Sequence, residues 1–370
     1  MAKTKIGIVG CGAISGIYLK NLTGLFTNTE IIGVCDLIDE RAEKAMQEYN
    51  IPKKYKDMHE MFADDNVEIV LNLTRPYEHF DVNMAAIAAG KHVYAEKPLG
   101  ATLDEGIKAR DAAAKKGVML GGAPDTFLGA GIQTCRKLID DGFIGRPVAA
   151  TAFMVNHGHE TWHPDPEFYY QFGGGPMMDM GPYYITALVN LLGAVESVSG
   201  IAKKSHATRR ITSQPHFGKI VDVEVDTHIA GQMSFAGGAV GTIIQSFDVH
   251  AHNLPIIEIY GTEGTLSVPD PNTFGGPIRL LRREQKTFMD MPLMFDYPEN
   301  SRGLGVADMA KAIAGSEKGG KARADVGLTF HILEVMTAFA RSSESRATMD
   351  ITSKPERPAP MQNGLLPGAV

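Results

Sequence analysis

The chain opens with MAKTKIGIVGCGAISG, residues 1–16, and this stretch decides its fold. The apolar run Lys5–Val9 predicts a short strand, which the glycines around Cys11 interrupt. The amphipathic run Ile14–Leu25 that follows predicts a helix. A strand, a glycine turn and a helix in this order are typical of the phosphate-binding corner of a dinucleotide-binding fold.

The residues of this turn have separable roles in such a corner. Gly10 permits the tight turn, and Gly12 lets the backbone approach a pyrophosphate. Ala13 and Ile14 lead into the helix N-terminus, whose free N–H groups and partial positive charge bind phosphates. Ser15 stands where the usual third glycine would be and is small enough for close helix–strand packing. The alternative is an ordinary strand–helix turn that merely needs glycine.

Bulk properties restrict the class of protein. A chain of 370 residues predicts two domains, because single cores rarely exceed ~250–300 residues. A net charge of −7 without a Lys/Arg block argues against nucleic-acid and anionic-membrane partners. No apolar run reaches the length of a membrane span, and no signal-peptide pattern precedes the first strand. The three widely spaced cysteines are typical of reduced thiols, so we expect a cytoplasmic protein.

The second predicted strand, Ile31–Cys35, ends at Asp36, about 20 residues past the glycine loop. A carboxylate there can accept hydrogen bonds from both adenosine ribose hydroxyls and would repel a 2′-phosphate, which favours NAD over NADP. Arg41 complicates this preference, because its guanidinium could pair with that phosphate or stack on adenine. The alternative role of Asp36 is that of a helix cap.

Two further strands end in polar residues. The strand Val67–Leu73 runs into Thr74, and the strand Lys91–Ala95 runs directly into Glu96 and Lys97. Strands that alternate with helices predict a parallel sheet covered on both faces, and ligands of such sheets bind at the carboxyl ends of the strands. We therefore expect these residues to lie at one edge with Gly10 and Asp36.

Lys97 is the chemically most distinctive residue of this region. Because Pro98 follows it, its backbone is held extended and its side chain can be aimed. Close to a nicotinamide cation and partly desolvated, its ammonium would exchange protons near neutral pH. The alternative is a surface lysine paired with Glu96.

The glycine loop, the stretch Thr74–His79 and the sequence Glu96-Lys97-Pro98 together resemble the glucose–fructose oxidoreductase, inositol dehydrogenase and MocA family. The resemblance implies an α/β protein with an N-terminal Rossmann domain, a doubly wound parallel sheet, and a C-terminal α+β domain with a large, mostly antiparallel sheet. We assign residues 1–123 to the Rossmann domain and residues 124–370 to the C-terminal domain. The resemblance also implies that Lys97 is catalytic. The resemblance further implies cofactor contacts from Thr74, Arg75, His79 and Glu96. At the position of Arg75 the family usually has a proline.

A polar, aromatic loop, Asn156–Pro164, follows the predicted strand Pro147–Val155. His159, Trp162 and His163 suit a carbohydrate platform, since aromatic faces stack on sugar C–H surfaces while imidazoles bond hydroxyls. Two alternatives stay open. One is a purely structural loop, and the other is a zinc site of His157, His159 and His163, although hydride transfer to nicotinamide needs no metal.

Residues 173–185, GGGPMMDMGPYYI, resemble the second motif of the family. Asp179 and Tyr183 are four residues apart and share a face if this segment is helical, although Gly181-Pro182 could kink it. Tyr183 falls where the family has His or Tyr, and we expect it to take the proton of a substrate hydroxyl together with Lys97. Asp179 would orient the substrate or tune the lysine. The alternative for Tyr183 is core packing.

Other parts of the second half predict assembly and substrate charge. Strands of period two, among them Val221–Phe235, predict a broad antiparallel sheet and hence a homo-oligomer (a dimer or tetramer) formed through it. Asp125 stands near a position where relatives often carry arginine, which suggests a neutral, hydroxylated ligand. The proline-rich tail Lys354–Val370 predicts a loosely ordered or partner-docked extension.

The hypothesis from the sequence is an NAD-dependent oxidoreductase that transfers a hydride between nicotinamide and a secondary alcohol or ketone of a sugar, glycoside or cyclic polyol. One alternative is a catalytically silent NAD-binding sensor or structural relative, because fold does not guarantee function. The other is a zinc-dependent lyase that uses the histidine cluster.

Overall fold

The computed structural model describes residues 3–315 and 320–370. The chain divides into two compact units. The first comprises Met1–Gly129, Phe295–Phe330 and Pro358–Val370, and the second comprises Ala130–Met294 and His331–Arg357. The division into a cofactor domain of residues 1–123 and a substrate domain of residues 124–370 concerns function and stays a prediction.

Helices and strands alternate in the first third of the chain, and strands dominate the middle. The helices are α1 (Ser15–Gly24), α2 (Asp39–Glu48), α3 (Met58–Ala63), α4 (His79–Ala88), α5 (Leu103–Lys116), α6 (Ala130–Asp140), α7 (Pro176–Leu192), α8 (Leu304–Ala314) and α9 (Val326–Ser345). The strands are β1 (Thr4–Val9), β2 (Thr29–Cys35), β3 (Ile69–Asn72), β4 (His92–Ala95), β5 (Leu120–Gly122), β6 (Pro147–Val155), β7 (Val195–Lys203), β8 (Thr208–Arg210), β9 (Ile220–Asp222), β10 (His228–Phe235), β11 (Val240–Ser246), β12 (Ile257–Gly261), β13 (Gly264–Val268), β14 (Ile278–Arg282), β15 (Met289–Met291) and β16 (Met349–Asp350).

The first unit contains a parallel sheet in the order β2-β1-β3-β4-β5. Its central strands are apolar and fully buried, as at Ile6, Ile8 and Ile69, because helices cover both faces of such a sheet. The carboxyl ends of β1 to β4 therefore lie at one edge, as the sequence predicted. The Rossmann class of this unit is confirmed.

The second unit is built on a nine-stranded sheet in the order β15-β14-β13-β12-β6-β11-β10-β7-β16. All neighbouring strands are antiparallel except β6 and β11, so the expectation of a large, mostly antiparallel sheet is confirmed. The predicted strand Val221–Phe235 is wrong as one element. It divides into β9 and β10, because the N–H groups of Val223, Glu224 and Thr227 bond three separate segments instead of one partner strand.

The prediction of a loosely ordered tail is wrong. Its last part belongs to the first unit, where Leu365 N–H donates to Asp296 Oδ2 at 3.1 Å and Tyr297 O–H donates to the Ala369 carbonyl. Met361 and Val370 are buried. The proline content favours an extended backbone, but it carries no information about what that backbone packs against.

Asp125 has a structural role in the first unit. Its side chain is 1% exposed, and Oδ2 accepts the N–H groups of Gly303 (2.8 Å) and Gly305 (3.0 Å) at the start of α8. Burial raises its pKa to about 6. Asp125 therefore serves the packing of α8, and the neutral, hydroxylated ligand stays a prediction.

No helix among residues 3–315 and 320–370 combines the length and the apolar character that crossing a bilayer requires.

The buried His331 is expected to make the stability of the second unit sensitive to acid. This fully buried residue of α9 accepts the Val195 N–H at Nε2 (3.0 Å), and its Nδ1 lies 2.7 Å from Ser353 Oγ. Burial lowers its pKa from 6.5 to about 4. As the pH falls, the His331 imidazole therefore binds a proton in the unfolded chain before it does so in the folded one. The contribution of His331 to the free energy of unfolding is complete above pH ~6.5 and is lost as the pH falls toward 4. The loss from this residue is about 3 kcal/mol.

The measurement is urea unfolding of the wild type and of His331→Gln between these pH values, with His216→Gln at an exposed position as the control. The glutamine cannot titrate, so we expect a flatter pH dependence for His331→Gln only. Parallel curves for all three proteins would contradict the assignment.

Candidate active site

The glycine loop of the first unit has the shape of a phosphate cradle. Gly10 has φ = +96°, and a Cβ there would lie 2.8 Å from the Leu73 carbonyl oxygen. A Cβ on Gly12 would meet no described atom within 4 Å, so the loop is open to a ligand at that point. Ser15 is buried and donates its Oγ–H to the Gly12 carbonyl at 2.7 Å. Ala13 and Ile14 are exposed where α1 begins.

Asp36 lies directly beside this loop. Its Oδ2 accepts the Cys11 N–H at 2.6 Å, and its Oδ1 accepts the Ile38 N–H at 2.8 Å. The second bond lies at the start of α2, so the carboxylate also caps the chain there, and the two roles weighed from the sequence are compatible. Arg41 is exposed on the first turn of α2. Burial and the neighbouring Asp36 raise the pKa of the Cys11 thiol to about 12, and Arg41 opposes them in part.

Leu37 is a candidate cofactor residue that the sequence reasoning missed. Its side chain is 95% exposed immediately after Asp36, and that of Ile38 is 45% exposed. Exposed apolar side chains beside a ribose-binding carboxylate offer a surface for a flat adenine ring. The signal was available in the sequence as two apolar residues between an acidic strand end and a polar helix.

The loop after β3 is fixed from within the core. Thr74 donates its Oγ–H to Asn72 Oδ1 at 2.7 Å. His79 is fully buried, and its ring nitrogens lie 2.7 Å from the Pro98 carbonyl oxygen and 3.0 Å from the Thr74 carbonyl oxygen. The imidazole thus bonds the backbone of two loops and holds them together, and its contact with a cofactor stays a prediction. Arg75 lies on the exposed side of this loop, where Nη1 donates to Tyr77 Oη at 3.2 Å.

Glu96 is buried and bonded on both oxygens. Oε1 accepts the O–H of Tyr18 at 2.7 Å, and Oε2 accepts the Lys97 N–H at 3.0 Å. The Lys97 side chain is half-buried. The carboxylate therefore bonds both the backbone of Lys97 and Tyr18 of α1, and its contact with a cofactor stays a prediction.

The second unit places the predicted substrate residues around one buried pair. His159 Nε2 lies 3.1 Å from Asp179 Oδ2, with both side chains about nine-tenths buried. The His159 ring is flanked by Tyr169 at 3.9 Å and Trp162 at 5.2 Å between centroids. The loop after β6 is thereby joined to α7, and His159 meets Asp179 rather than solvent.

The remaining predicted residues of this unit surround that pair. Trp162 is 63% exposed, so part of its aromatic ring faces solvent. His163 Nδ1 accepts the Asp165 N–H at 3.0 Å. Tyr183 is buried one turn after Asp179 on α7, which runs unbroken through Pro182, so the two residues share a face. Lys97 belongs to the first unit and Tyr183 to the second.

A buried charge cluster behind the loop escaped the sequence reasoning. Arg209 Nη1 donates to Glu160 Oε1 at 2.9 Å, and its Nη2 bonds Asp248 and the Phe247 carbonyl. Tyr170 O–H donates to the other oxygen of Glu160. Long-range pairs of this kind leave no periodic signal, although a loop glutamate between histidines could have been flagged as needing a cation.

The zinc alternative gains no support from the geometry. Among residues 3–315 and 320–370, no group of three or more His, Cys, Asp or Glu side chains is arranged to hold a metal ion. His157 stacks on His250 with ring centroids 3.6 Å apart, whereas His159 is bonded to Asp179. The three histidines of the loop therefore have different partners.

Substitutions of the two loop glycines are expected to have different effects, one on stability and the other on NAD binding. Gly10→Ala places a side chain at positive φ against Leu73, so we expect a loss of about 1–3 kcal/mol in the free energy of unfolding. Gly12→Ala meets no described atom, so we expect wild-type stability but NAD affinity at least ~tenfold lower, since the methyl group fills the space that a pyrophosphate needs. Urea unfolding and calorimetric titration with NAD check both. Wild-type NAD affinity in Gly12→Ala would contradict the cradle.

Two family models match most of the chain. Residues 4–122 match the family model described as "Oxidoreductase family, NAD-binding Rossmann fold", and residues 132–267 match "GFO/IDH/MocA C-terminal domain". The inositol 2-dehydrogenase/D-chiro-inositol 3-dehydrogenase of Lactiplantibacillus plantarum is 34% identical over 148 residues, 39% of this chain and 42% of that protein. The matched stretches span 42–48% of the length of such inositol dehydrogenases.

Two solved structures share the fold. An NAD binding oxidoreductase from Klebsiella pneumoniae superposes with a TM-score of 0.81 at 22% identity, covering 95% of this chain and 100% of that one. A levoglucosan dehydrogenase in complex with NADH superposes with a TM-score of 0.80 at 20% identity, with the same coverage. At these identities the likeness concerns the fold.

Proposed function

Because the chain belongs to the GFO/IDH/MocA oxidoreductase family, we propose that it is an NAD-dependent dehydrogenase or reductase that acts on a secondary alcohol or ketone of a sugar, glycoside or cyclic polyol. The observation that carries the proposal is the edge of the parallel sheet. There the glycine loop, Asp36, the Thr74 loop and Lys97 follow four neighbouring strands. Hydrogen bonds join the glycine loop to Asp36 and, through His79, the Thr74 loop to Pro98. Inositol and levoglucosan dehydrogenases among the similar proteins support this substrate class.

The residues of the first unit fit a dinucleotide. Gly10 closes the turn, and the open side of Gly12 leaves room for a pyrophosphate at the N-terminus of α1. The Asp36 carboxylate is placed for ribose hydroxyls and opposes a 2′-phosphate, which favours NAD over NADP. Leu37 and Ile38 offer the apolar surface for adenine. Bound NAD would supply the hydride acceptor or donor at its nicotinamide ring.

Lys97 is the proposed proton-handling group of the first unit. Its backbone is fixed by Glu96 and by the ring of Pro98, so the half-buried side chain leaves from a defined point. Its ammonium form can donate a proton to the ketone oxygen when the carbon atom is reduced, and its amine form can accept the hydroxyl proton when the carbon atom is oxidised. Such an oriented group contributes most when its position is fixed in advance.

Tyr183 and Asp179 are the proposed groups of the second unit. The Tyr183 phenol would share the proton transfer with Lys97, and Asp179 would orient the substrate hydroxyls. His159 holds Asp179 in place, and the exposed Trp162 provides a face for sugar C–H groups. His163 offers a further imidazole for hydroxyl groups on the same loop.

The test of this function is a turnover panel. The purified chain is mixed with NAD or NADP and with inositols, aldoses, anhydrosugars and glycosides, and the absorbance of the reduced cofactor is followed. We expect turnover with at least one cyclic polyol or sugar and a preference for NAD. Tight NAD binding without turnover on any member would favour the silent sensor instead.

We also propose that a second copy of the chain covers the open face of the nine-stranded sheet. Ile201 and Val240 are exposed on this face, on β7 and β11. Apolar side chains on a broad sheet favour burial against another sheet. Light scattering of the wild type and of Ile201→Lys tests it, with a smaller particle expected for the variant.

The cysteines support a reducing compartment such as the cytoplasm. Cys11, Cys35 and Cys135 are free and buried. Chains of oxidising compartments more often pair their thiols. Fractionation of cells that express the tagged chain would test this placement.

A further inference from the structure

A buried tyrosine connects the first helix of the cofactor unit to the peptide that carries Lys97. Tyr18 lies on α1, one turn after the glycine loop, and is 0% exposed. Its O–H donates to Glu96 Oε1 at 2.7 Å, while Glu96 Oε2 accepts the Lys97 N–H at 3.0 Å. One carboxylate thus holds both the helix and the backbone of the lysine.

The same peptide is held from its other side. The Pro98 carbonyl oxygen lies 2.7 Å from His79 Nδ1, and the His79 ring is fully buried. The backbone of Lys97 and Pro98 is therefore fixed at two points, by the Glu96 side chain, which Tyr18 of α1 holds in turn, and by the His79 ring of α4. The Lys97 side chain is the part of this dipeptide that remains half-exposed.

The geometry points to Tyr18 as a positioning residue for Lys97. Through Glu96 it sets the point and direction from which the lysine side chain leaves, and it ties that point to the helix whose N-terminus would bind the pyrophosphate. This inference rests on the proposed function, since it gives Lys97 a reaction to serve. It also gives Glu96 a role as the link in this connection.

The charged and titratable surroundings keep Tyr18 a donor. Burial and Glu96 raise the pKa of Tyr18 well above its ordinary value, and Asp125 and Tyr94 act in the same direction. Arg302 faces Asp125 and lowers the pKa of that carboxyl. The phenol therefore keeps its proton through the pH range of an enzyme assay.

The first unit provides a matched control. Tyr55 is also buried and donates its O–H to a carboxylate oxygen, Asp64 Oδ2, at 2.8 Å. This pair joins parts of the chain other than the glycine loop and the lysine. Tyr55→Phe and Tyr18→Phe each remove one such hydroxyl, so they separate a general effect on stability from an effect on Lys97.

The experiment compares the two variants in three readouts. These are kcat and KM on the best substrate of the panel, the NAD dissociation constant, and the ¹³C signal of Lys97 in reductively methylated protein, assigned with Lys97→Arg. For Tyr18→Phe we expect kcat to fall about ten- to hundredfold, KM and NAD affinity to stay within about threefold, and the Lys97 signal to shift. Tyr55→Phe should keep wild-type kcat and an unshifted Lys97 signal.

If Tyr18→Phe kept the same kcat as Tyr55→Phe and neither variant shifted the Lys97 signal, the inference would be overturned. If Tyr18→Phe does not fold, Glu96→Gln replaces it, because its amide oxygen can accept from Tyr18 or from the Lys97 N–H but cannot hold both as the carboxylate does. If the wild type turns over no substrate, the proposed function fails, and the Lys97 signal then decides on the positioning role alone.

Discussion

Replacement of Lys97 by alanine is expected to lower kcat/KM for the best polyol or sugar by about 10²–10⁴. The reason is that a positioned proton donor or acceptor contributes on this scale, and the alanine methyl group can neither hold the substrate oxygen nor exchange a proton. The NAD dissociation constant should change by less than about threefold, since the glycine loop and Asp36 are untouched. Steady-state kinetics and calorimetric titration measure the two quantities.

Lys20→Ala is the control for this experiment. Lys20 is exposed on α1 in the same unit, so its removal changes the net charge equally without touching the sheet edge. It should retain wild-type kinetics. A loss of less than ~tenfold in Lys97→Ala would show that the lysine does not handle the proton.

The second large effect is on stability. Arg209→Met is expected to lower the free energy of unfolding by about 3–5 kcal/mol, because removal of one partner leaves buried charges uncompensated. Arg209 is 6% exposed and is the cation between Glu160 and Asp248, and Asp248 also accepts the Thr227 O–H at 2.7 Å. Methionine keeps most of the volume, so the loss reports on charge.

Urea unfolding measures this loss, and Arg210→Met is the matched control, since Arg210 is the exposed neighbour on β8. It should unfold within about 0.5 kcal/mol of the wild type. If Arg209→Met and Arg210→Met both lowered the free energy of unfolding only slightly, the charge cluster around Arg209 would not stabilise the loop after β6. Because His159 lies on this loop, Arg209→Met should also raise KM.

The Rossmann half of the molecule was accessible from the sequence for a physical reason. Its strands are largely apolar, its turn at Gly10 needs a positive φ, and Asp36 and the pair Glu96-Lys97 directly follow strand ends. Each of these is a local signal. Local periodicity also predicted β6 at the ends that the structure shows, Pro147 and Val155.

What the sequence did not reveal depends on contacts between distant segments. Asp125 looked like a substitution in a binding site, but it holds the start of α8, some 180 residues later. His79 and Glu96 lie in motifs, yet their side chains bond the backbone and α1. Arg209 gave no signal at all, because a three-residue strand with charged neighbours resembles a loop.

The most direct test of hydride transfer is the fate of one deuterium atom. The best substrate of the panel, labelled with deuterium at the oxidised carbon, is incubated with NAD, and the reduced cofactor is examined by mass spectrometry. The deuterium is expected in the reduced cofactor, and the labelled substrate should react more slowly than the unlabelled one. Conversion of the substrate with the label lost to water or kept in the product would contradict it.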